Sequence, residues 1–528
     1  MRSGVPAGIV AYVWTDPSER KSKTMVKPKP LLKPPAPAPA QWSTRDFYLD
    51  DFAKALFPLE TNQVLIQSGE QQIKQFIAKC LAEEPGYSFL AQTRVYAAKP
   101  GLHLRRTVKL DVVAEYFLYD LVYRNRARFR KAHLETRQHF GYRFVEGRPL
   151  PPSQSYKAFK GAIAASKKTY KHFLSFDISS FFNSIYHHDL VAWLANLGAS
   201  DDDYAYFGKF LRETNSGRSI DCLVQGLYPS KMVGNDFLRY IDEHHSLRSG
   251  TLLRFMDDIY LFSDSSEVLQ RDFIYIQKLL GDRGLSVNPS KTIRDIDKQA
   301  NFDDKLDDVK SKLLQRRRRL VTESYDDEPN VINIKLALNK DELAYLTALL
   351  AADNIDEEDA ELVLTLMREH DKLVHKRLPD IAVRFPHLAK SIFNFCKHVK
   401  DIDFLAEMIE TIVRDRSDLQ EYQLFWFGWI LQSYLMNTTK ASNIIDLLYN
   451  HPNATMISRA KILEIADVRF GLTELRDQQL GAGQSDWLAW ASAVGHRSLR
   501  SISRNHRFSY FAKSSPINKL IADIVGQI

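Results

Sequence analysis

Two adjacent aspartates, Asp257 and Asp258, interrupt an apolar segment that runs from Leu252 to Phe262. Apolar runs on either side of two residues predict a β-hairpin with the aspartates in its loop. Asp-Asp is a poor choice for such a loop, which favours Asn-Gly or Asp-Gly, and its like charges repel unless a cation neutralises them. A locally unfavourable pair in a consistent pattern indicates a functional site, here a site for divalent metal. The alternative is a polar hairpin tip.

A third carboxylate, Asp177, follows a short apolar strand, and a second apolar stretch begins soon after it. Farther along, Gln225 and Gly226 precede a predicted helix, and the glycine lets the backbone approach a ligand closely. After the hairpin, Asn288 and Lys291 follow a Gly-Leu pair. The chain therefore carries, in order, a carboxylate strand, a Gln-Gly turn with its helix, the Asp-Asp hairpin and a lysine-containing loop.

This order resembles the palm of reverse transcriptases, motifs A to D, over about residues 90–295. The resemblance implies that a primer hydroxyl attacks the α-phosphate of a nucleotide, while two Mg²⁺ ions, or Mn²⁺ in their place, stabilise the attacking and leaving oxygens. Mg²⁺ prefers carboxylate, phosphate and water oxygens, so few protein ligands are needed. Asp177 and Asp257 would be the main bridging ligands, with Asp258 as a supporting carboxylate and the main-chain oxygen of Ile178 as a further ligand.

The same resemblance assigns roles around the nucleotide. Phe182 matches the steric gate under the sugar, where an aromatic ring favours deoxynucleotides; ordinary core packing is the alternative. Lys291 matches a motif D lysine that protonates the pyrophosphate leaving group, with a solvated loop lysine as the alternative. Gln225 and Gly226 would line the floor beneath the template base and the incoming nucleotide.

A basic segment before the palm, from Lys99 to Leu110, resembles the fingers hairpin of the family. Arginine forks match phosphate geometry, and lysine supplies a compact charge. Arg105, Arg106 and Lys99 are therefore the predicted contacts to the triphosphate. The alternative is that these side chains are simply solvated on an exposed strand.

The composition agrees with a nucleic-acid enzyme. The chain has 528 residues, a net charge of +7 and a pI of about 8.9, which suit a polyanionic partner. Three scattered cysteines without Cys-x-x-Cys spacing predict a reducing compartment and no zinc module. The most apolar stretch, Leu424 to Leu435, is too short to span a bilayer and predicts a buried helix. No signal peptide is evident, so we expect no membrane association.

The predicted fold class is α+β, a right-hand polymerase fingers and palm followed by an all-α, helical-repeat (HEAT-like) C-terminal domain. Asn339 and Glu342 form a predicted capping box, and amphipathic segments then recur to the end of the chain, as in helical arrays. The predicted domains are a disordered Pro-rich segment (1–40), N-terminal helices and fingers (41–170), the palm (171–298), a basic/acidic linker or thumb-like segment (299–338) and the helical domain (339–528).

A palm followed by a long helical domain most resembles the bacterial abortive-infection (AbiK-like) reverse transcriptases. That resemblance implies a role in antiphage defence in the bacterial cytoplasm. It also implies DNA synthesis from dNTPs that is primed by the protein and need not copy a template, and assembly into a homo-oligomer. The implied product is single-stranded DNA, with RNA as a further candidate partner. Tyr48 and Tyr325 are the candidate priming residues, and the alternative for each is an ordinary surface or half-buried tyrosine.

Two other functions stay open at this level. One is a templated, retron-like reverse transcriptase that uses a partner RNA. The other is a non-catalytic scaffold that keeps the palm as a binding surface. The complete set of Asp177, Asp257 and Asp258 argues against the scaffold, because a scaffold has no reason to retain their mutual repulsion.

Overall fold

The computed structural model describes residues 42–130, 134–294, 313, 338–352 and 354–528. The predicted disordered segment 1–40 and nearly all of the predicted linker 299–338, including Tyr325, lie outside the described residues. Residues Trp42–Ile528 form one compact unit. The predicted boundaries within that unit stay predictions.

The N-terminal half alternates helices with short strands. A capping box begins the first helix, since Ser43 Oγ accepts the N–H of Asp46 at 3.1 Å and Asp46 accepts the N–H of Ser43. The elements are α1 (Thr44–Asp51), α2 (Glu60–Leu81), β1 (Thr93–Ala98), β2 (Leu104–Lys109), α3 (Val112–Arg124), β3 (Arg137–Phe140), β4 (Phe144–Val145), β5 (Arg148–Pro149), α4 (Pro152–Thr169), β6 (His172–Phe176), α5 (Phe181–Ser184), α6 (His187–Asn196), α7 (Asp201–Thr214), α8 (Tyr228–Phe237), α9 (Arg239–Asp242), β7 (Thr251–Phe255), β8 (Asp258–Ser263), α10 (Ser266–Gly281) and β9 (Ile293–Arg294).

A five-stranded sheet forms the centre of this half, with strand order β3-β7-β8-β6-β9. Strand β3 runs parallel to β7, and the other pairs are antiparallel. Helix α4 covers one face, where Phe159 packs on Phe255 and Tyr260 at ring distances of 5.7 Å. Helix α10 covers the other face, where Phe273 packs on Phe176. The strands β1 and β2 form a separate antiparallel hairpin, as predicted for the fingers.

The described chain from residue 338 onward is helical, as predicted. Asn339 and Glu342 form the predicted capping box. Leu424 to Leu435 is mostly buried, as predicted, with three half-buried side chains and an exposed Ser433. No helix in the described ranges is long and apolar enough to cross a membrane. The helices are Lys340–Ala351, Glu357–Leu366, Asp371–Val374, Leu378–Arg384, Ala389–Cys396, Ile402–Asp415, Glu421–Ile430, Ala441–Asn450, Met456–Leu463, Leu472–Gly481, Trp487–Gly495, Ser501–Ser514 and Pro516–Val525.

This C-terminal helical region (338–528) packs on the N-terminal helices and the fingers hairpin. Glu421 accepts the backbone N–H of Tyr96 on β1 at 3.1 Å. Glu464 accepts the backbone N–H of Thr61, at the start of α2, at 2.8 Å. The hairpin is therefore held against the helical region on one side.

Candidate active site

A cleft of about 1270 Å³ lies between the fingers hairpin, the central sheet and the C-terminal helical region. Side chains from segments far apart in the sequence converge on it. The predicted site residues that line it are Lys99, Arg105, Arg106, Asp177, Ile178, Phe182, Gln225, Gly226, Asp257, Asp258 and Lys291. The fold thus brings together every predicted metal-binding and nucleotide-binding residue.

The hairpin between β7 and β8 differs by one residue from the prediction. Phe255 pairs with Asp258, so the two loop residues are Met256 and Asp257, and Asp258 begins β8. Met256 takes the left-handed conformation that such a loop requires, with φ of 54°. The expectation that Asp257 and Asp258 both form the loop is therefore wrong. This register places Asp257 at the tip and Asp258 on the strand.

Two buried side chains hold this turn from behind. The Oδ1 of Asn235, on α8, accepts the N–H of Met256 at 3.2 Å. Arg254 donates from Nη1 to the main-chain oxygen of Met256 at 3.0 Å and from Nε to Asp242 at 2.8 Å. Both main-chain groups of the left-handed residue are therefore satisfied, which fixes the position of Asp257.

The three carboxylates repel one another in the cleft. Burial and then the charges of Asp177 and Asp258 raise the pKa of Asp257 to about 7. Burial and Asp177 also raise the pKa of Asp258, and nearby lysines oppose this. Lys291 Nζ lies 2.7 Å from Asp177 Oδ2, and this contact raises the pKa of the lysine. The site therefore favours an added positive charge.

The donor set fits a Mg²⁺ site of the polymerase kind. Among the residues that the structure describes, no three or more acidic, histidine or cysteine side chains already surround one metal position. Mg²⁺ does not need such a cage, because one or two carboxylates suffice when phosphate and water supply the other oxygens. Asp177 and Asp257 would hold the ions, with Asp258 beside them. When bound, the ions would stabilise the charge that develops on the attacking and leaving oxygens.

The loop after α10 is hydrogen-bonded to the residues that directly follow β6. The main-chain oxygen of Asp177 accepts the N–H of Asn288 at 2.7 Å, and Ile178 forms an isolated bridge with Val287. These contacts bring the side chain of Lys291 to the carboxylate of Asp177. The position agrees with the predicted placement of Lys291 at the site, and its proton-donor role stays a prediction.

The predicted triphosphate contacts fall into two kinds. Arg106 Nε lies 3.2 Å from Asp221, so this guanidinium has a carboxylate partner in the protein. Lys99 and Arg105 have no carboxylate partner among the described residues and face the cleft. Burial, followed by the charges of Arg105 and Lys291, lowers the pKa of Lys99. Lys99 and Arg105 are thus the cations best placed to bind a polyanion.

The floor of the cleft is a hydrogen-bonded set that includes Asn183, the residue after Phe182. Gln225 Nε2 donates to Asn183 Oδ1 at 2.7 Å, and Asn183 Nδ2 donates to Asp221. Gly226 has φ of 97°, and a Cβ added there would lie 2.8 Å from Leu56 Cγ, so both conformation and space require glycine. Phe182 is half-buried and lines the cleft, as a steric gate must.

Of the two candidate priming tyrosines, Tyr325 lies outside the described residues, and Tyr48 is not among the residues that line the cleft. Tyr48 is 1% exposed and lies in α1, where it packs on Tyr119 and Phe52. From this position its hydroxyl cannot reach the carboxylates unless α1 leaves the core. The described tyrosines that do line the cleft are Tyr142, which is buried, and Tyr186, which is 38% exposed.

Several functional side chains were not predicted. Asp221 and Asn183 tie the fingers to the cleft floor, and Arg254 and Asn235 hold the turn. Glu361, from the helical region, also lines the cleft. Asn183 stands directly after the predicted gate, so its position in the motif is a usable signal. The contacts of Asp221 and Asn235 join segments far apart in the chain, and the sequence carries no local signal for them. Arg254 is only two residues from Met256, but the sequence does not indicate that its side chain reaches back to the turn.

The comparison with protein families agrees with this geometry. Residues 122–300 match the model of the reverse transcriptase (RNA-dependent DNA polymerase) family. This part of the chain is a reverse transcriptase domain, and the protein is a polymerase of the reverse transcriptase type, an RNA-directed DNA polymerase.

No curated protein matches the sequence. Among solved structures, the chain is similar to telomerase from Candida albicans in complex with a TWJ fragment of telomeric RNA, with 12% identity, coverage of 72% of this chain and 68% of that chain, and a TM-score of 0.30. It is also similar to apo telomerase from Candida tropicalis, with 12% identity, coverage of 72% and 73%, and a TM-score of 0.31.

Proposed function

We propose that this polymerase adds dNTPs to a growing single DNA strand by two-metal phosphoryl transfer, begins on a hydroxyl of the protein itself, and need not copy a template. The observation that carries the catalytic part is the convergence of Asp177, Asp257 and Asp258 with Lys99 and Arg105 in one cleft. The carboxylates would hold the metal ions, and the two cations would neutralise the triphosphate. A hydroxyl held in line with the α-phosphate would then attack it.

The mode of priming rests on the resemblance to abortive-infection reverse transcriptases. The test is purification of the protein after reaction with labelled dNTPs, denaturation, and gel separation with and without nuclease. We expect label to remain with the protein, and peptide mass spectrometry to locate the adduct. Tyr186→Phe, Tyr325→Phe and Tyr48→Phe are the variants to compare. DNA that separates freely under denaturing conditions would instead favour the templated, retron-like enzyme with a partner RNA.

A role in antiphage defence is part of the same proposal. Cells that carry the wild-type gene should restrict phage growth, and cells that carry Asp257→Ala at equal protein level should not. The variant removes one carboxylate from the turn and leaves Met256 with its hydrogen-bond partners Asn235 and Arg254, so its loss of protection would tie defence to synthesis. Equal protection by both proteins would separate defence from catalysis.

The proposal also includes a homo-oligomer built on the HEAT-like helical region. It is supported by the long array of helices in the described ranges 338–352 and 354–528 and by the resemblance to abortive-infection reverse transcriptases. Mass photometry of the full chain at micromolar concentration should show a multimer. A strictly monomeric protein would contradict this part and leave the polymerase function standing.

A further inference from the structure

A long segment before the first catalytic strand is strongly basic. Residues 147–176 contain no Asp or Glu but carry Arg148, Lys157, Lys160, Lys167, Lys168 and Lys171. Most of this segment is α4. Basic residues in such a segment are commonly just solvated at the surface. Whether they bind a ligand therefore depends on where the segment lies and on which side chains share its exposed face.

The lysines and small residues of α4 share its outer face. Pro152, Ser155, Phe159 and Ile163 are buried against the core, whereas Lys157, Gly161, Ala164 and Lys168 are exposed and recur at the helical period. Lys160 is exposed beside them. This outer face of α4 is thus a shallow surface, with cations near its ends and small side chains between them.

Gly161 is informative because glycine inside a helix costs roughly 0.5–1 kcal/mol relative to alanine. Nothing in the described chain lies within 4 Å of a Cβ added there. Packing therefore does not require this glycine. Lys157 and Lys160 lie beyond the first turn of α4, where the helix dipole has little effect on a charge, and Lys160 Nζ lies 5.1 Å from the centre of the Tyr156 ring. The glycine, in contrast, is explained neither by packing nor by the stability of the helix.

Helix α4 lies on the catalytic face of the central sheet. Asp258 and Tyr260 project from the same face, since side chains alternate along a strand. Phe159 of α4 packs on Tyr260, and its ring also contacts Phe255, the cross-strand partner of Asp258. The positive charge of Lys160 also acts on Asp258. A strand that crosses this face away from the carboxylates therefore meets α4.

We propose that the outer face of α4 binds the sugar-phosphate backbone of the nucleic-acid strand whose reacting end lies at the carboxylates. The inference rests on the proposed polymerase function and adds the path of the strand. From Lys157 to Lys168 the helix rises about 16 Å, which spans about four or five nucleotides of a helical strand. Lysine binds phosphate groups whatever the base sequence of the strand. The small residues Gly161 and Ala164 let the sugar-phosphate backbone approach the helix closely.

The test is binding of a fluorescently labelled single-stranded DNA by the full chain, without dNTP or metal, over a series of KCl concentrations. The variant carries Lys157→Gln, Lys160→Gln and Lys168→Gln. Three lost phosphate contacts should reduce the slope of log K against log[salt] by about 2, because each contact to a single strand contributes about 0.7. Affinity should fall at least tenfold at low salt. Labelled RNA and duplex DNA distinguish the kind of strand.

The matched control carries the same charge change on exposed lysines of the C-terminal helical region, Lys372→Gln, Lys376→Gln and Lys397→Gln, and should keep the wild-type slope. Ala164→Glu, with all lysines present, should weaken binding as well. A wild-type slope in the α4 variant overturns the inference. The inference is also overturned if the α4 variant loses binding to phosphatidylserine vesicles while its binding to DNA is unchanged, because the lysines would then serve a membrane surface. A wild type that binds DNA but incorporates no nucleotide would contradict the proposed function, and the salt slope would still decide the role of α4.

Discussion

The guanidinium of Arg254 donates a hydrogen bond to the main-chain oxygen of Met256 at 3.0 Å. Both residues are buried, and the contact ties the left-handed turn that carries Asp257 to the back of the sheet. The same guanidinium is paired with Asp242, which is also fully buried. The position of Asp257, the predicted metal-binding carboxylate, thus depends on an ion pair outside the cleft.

Removing the guanidinium should affect both stability and synthesis. Arg254→Met leaves Asp242 buried without its partner, which should lower the free energy of unfolding by about 3–5 kcal/mol. The double variant Arg254→Met with Asp242→Leu removes both charges and should regain most of that stability, measured by urea unfolding. Nucleotide incorporation by the double variant should stay low, because the main-chain oxygen of Met256 has lost its hydrogen-bond donor. Wild-type activity in a stable double variant would show that the turn needs no such support.

The hairpin between β7 and β8 was predicted from the sequence in part only. The apolar runs around Asp257 and Asp258 indicated two strands, and the ordered motifs placed them in a palm. The register was wrong by one residue because a polar pair was expected to form the loop. The structure puts Met256 in the left-handed position, since Asn235 and Arg254 satisfy its main-chain groups. Asn235 comes from a distant helix, and although Arg254 is only two residues from Met256, no local pattern indicates that its side chain reaches back to the turn.

The same limit applies to the pairing of charges and to the candidate priming residue Tyr48. The fingers hairpin and its basic residues were predicted, but the pairing of Arg106 with Asp221 joins positions far apart in the chain. Tyr48 follows a proline-rich segment and was predicted as a candidate priming residue. It packs instead on Tyr119, so the aromatic cluster determines its position. Motif order was therefore readable, whereas side-chain partners were not.

Phe182 should control the choice of sugar. Phe182→Ala should lower the preference for dNTPs over rNTPs at least tenfold, or about 1.4 kcal/mol, because the ring that would crowd a 2′-hydroxyl is gone. Relative kcat/KM for matched dNTP and rNTP pairs measures this. Phe182→Tyr keeps the ring and should keep the preference. An unchanged ratio in the alanine variant would assign Phe182 to the core.

The raised pKa of Asp257 should appear in the stability of the metal-free protein. The folded state holds a proton up to a pKa of about 7, whereas an ordinary Asp releases it near 3.8. Stability should therefore fall as the pH rises from about 4 to 7. Asp257→Asn should lack this decline and exceed the wild type at pH 8 by up to a few kcal/mol, since one pKa unit is about 1.4 kcal/mol.

Urea unfolding in EDTA at pH 5 and pH 8 measures this difference. Addition of Mg²⁺ at pH 8 should stabilise the wild type more than Asp257→Asn, because ligand binding to the folded state raises its stability. An identical pH dependence in the two proteins would mean that Asp257 does not titrate in this range.

The most direct measurement is incorporation of labelled dNTPs in Mg²⁺ by the wild type, Asp257→Ala and Asp177→Ala. Asp282→Ala, which removes an exposed carboxylate outside the cleft, is the matched control. Each cleft variant should fold normally and lose at least about a thousandfold in rate, or about 4 kcal/mol of transition-state stabilisation, while the control keeps wild-type activity. Near-normal synthesis by either cleft variant would contradict the account of this cleft as the polymerase active site.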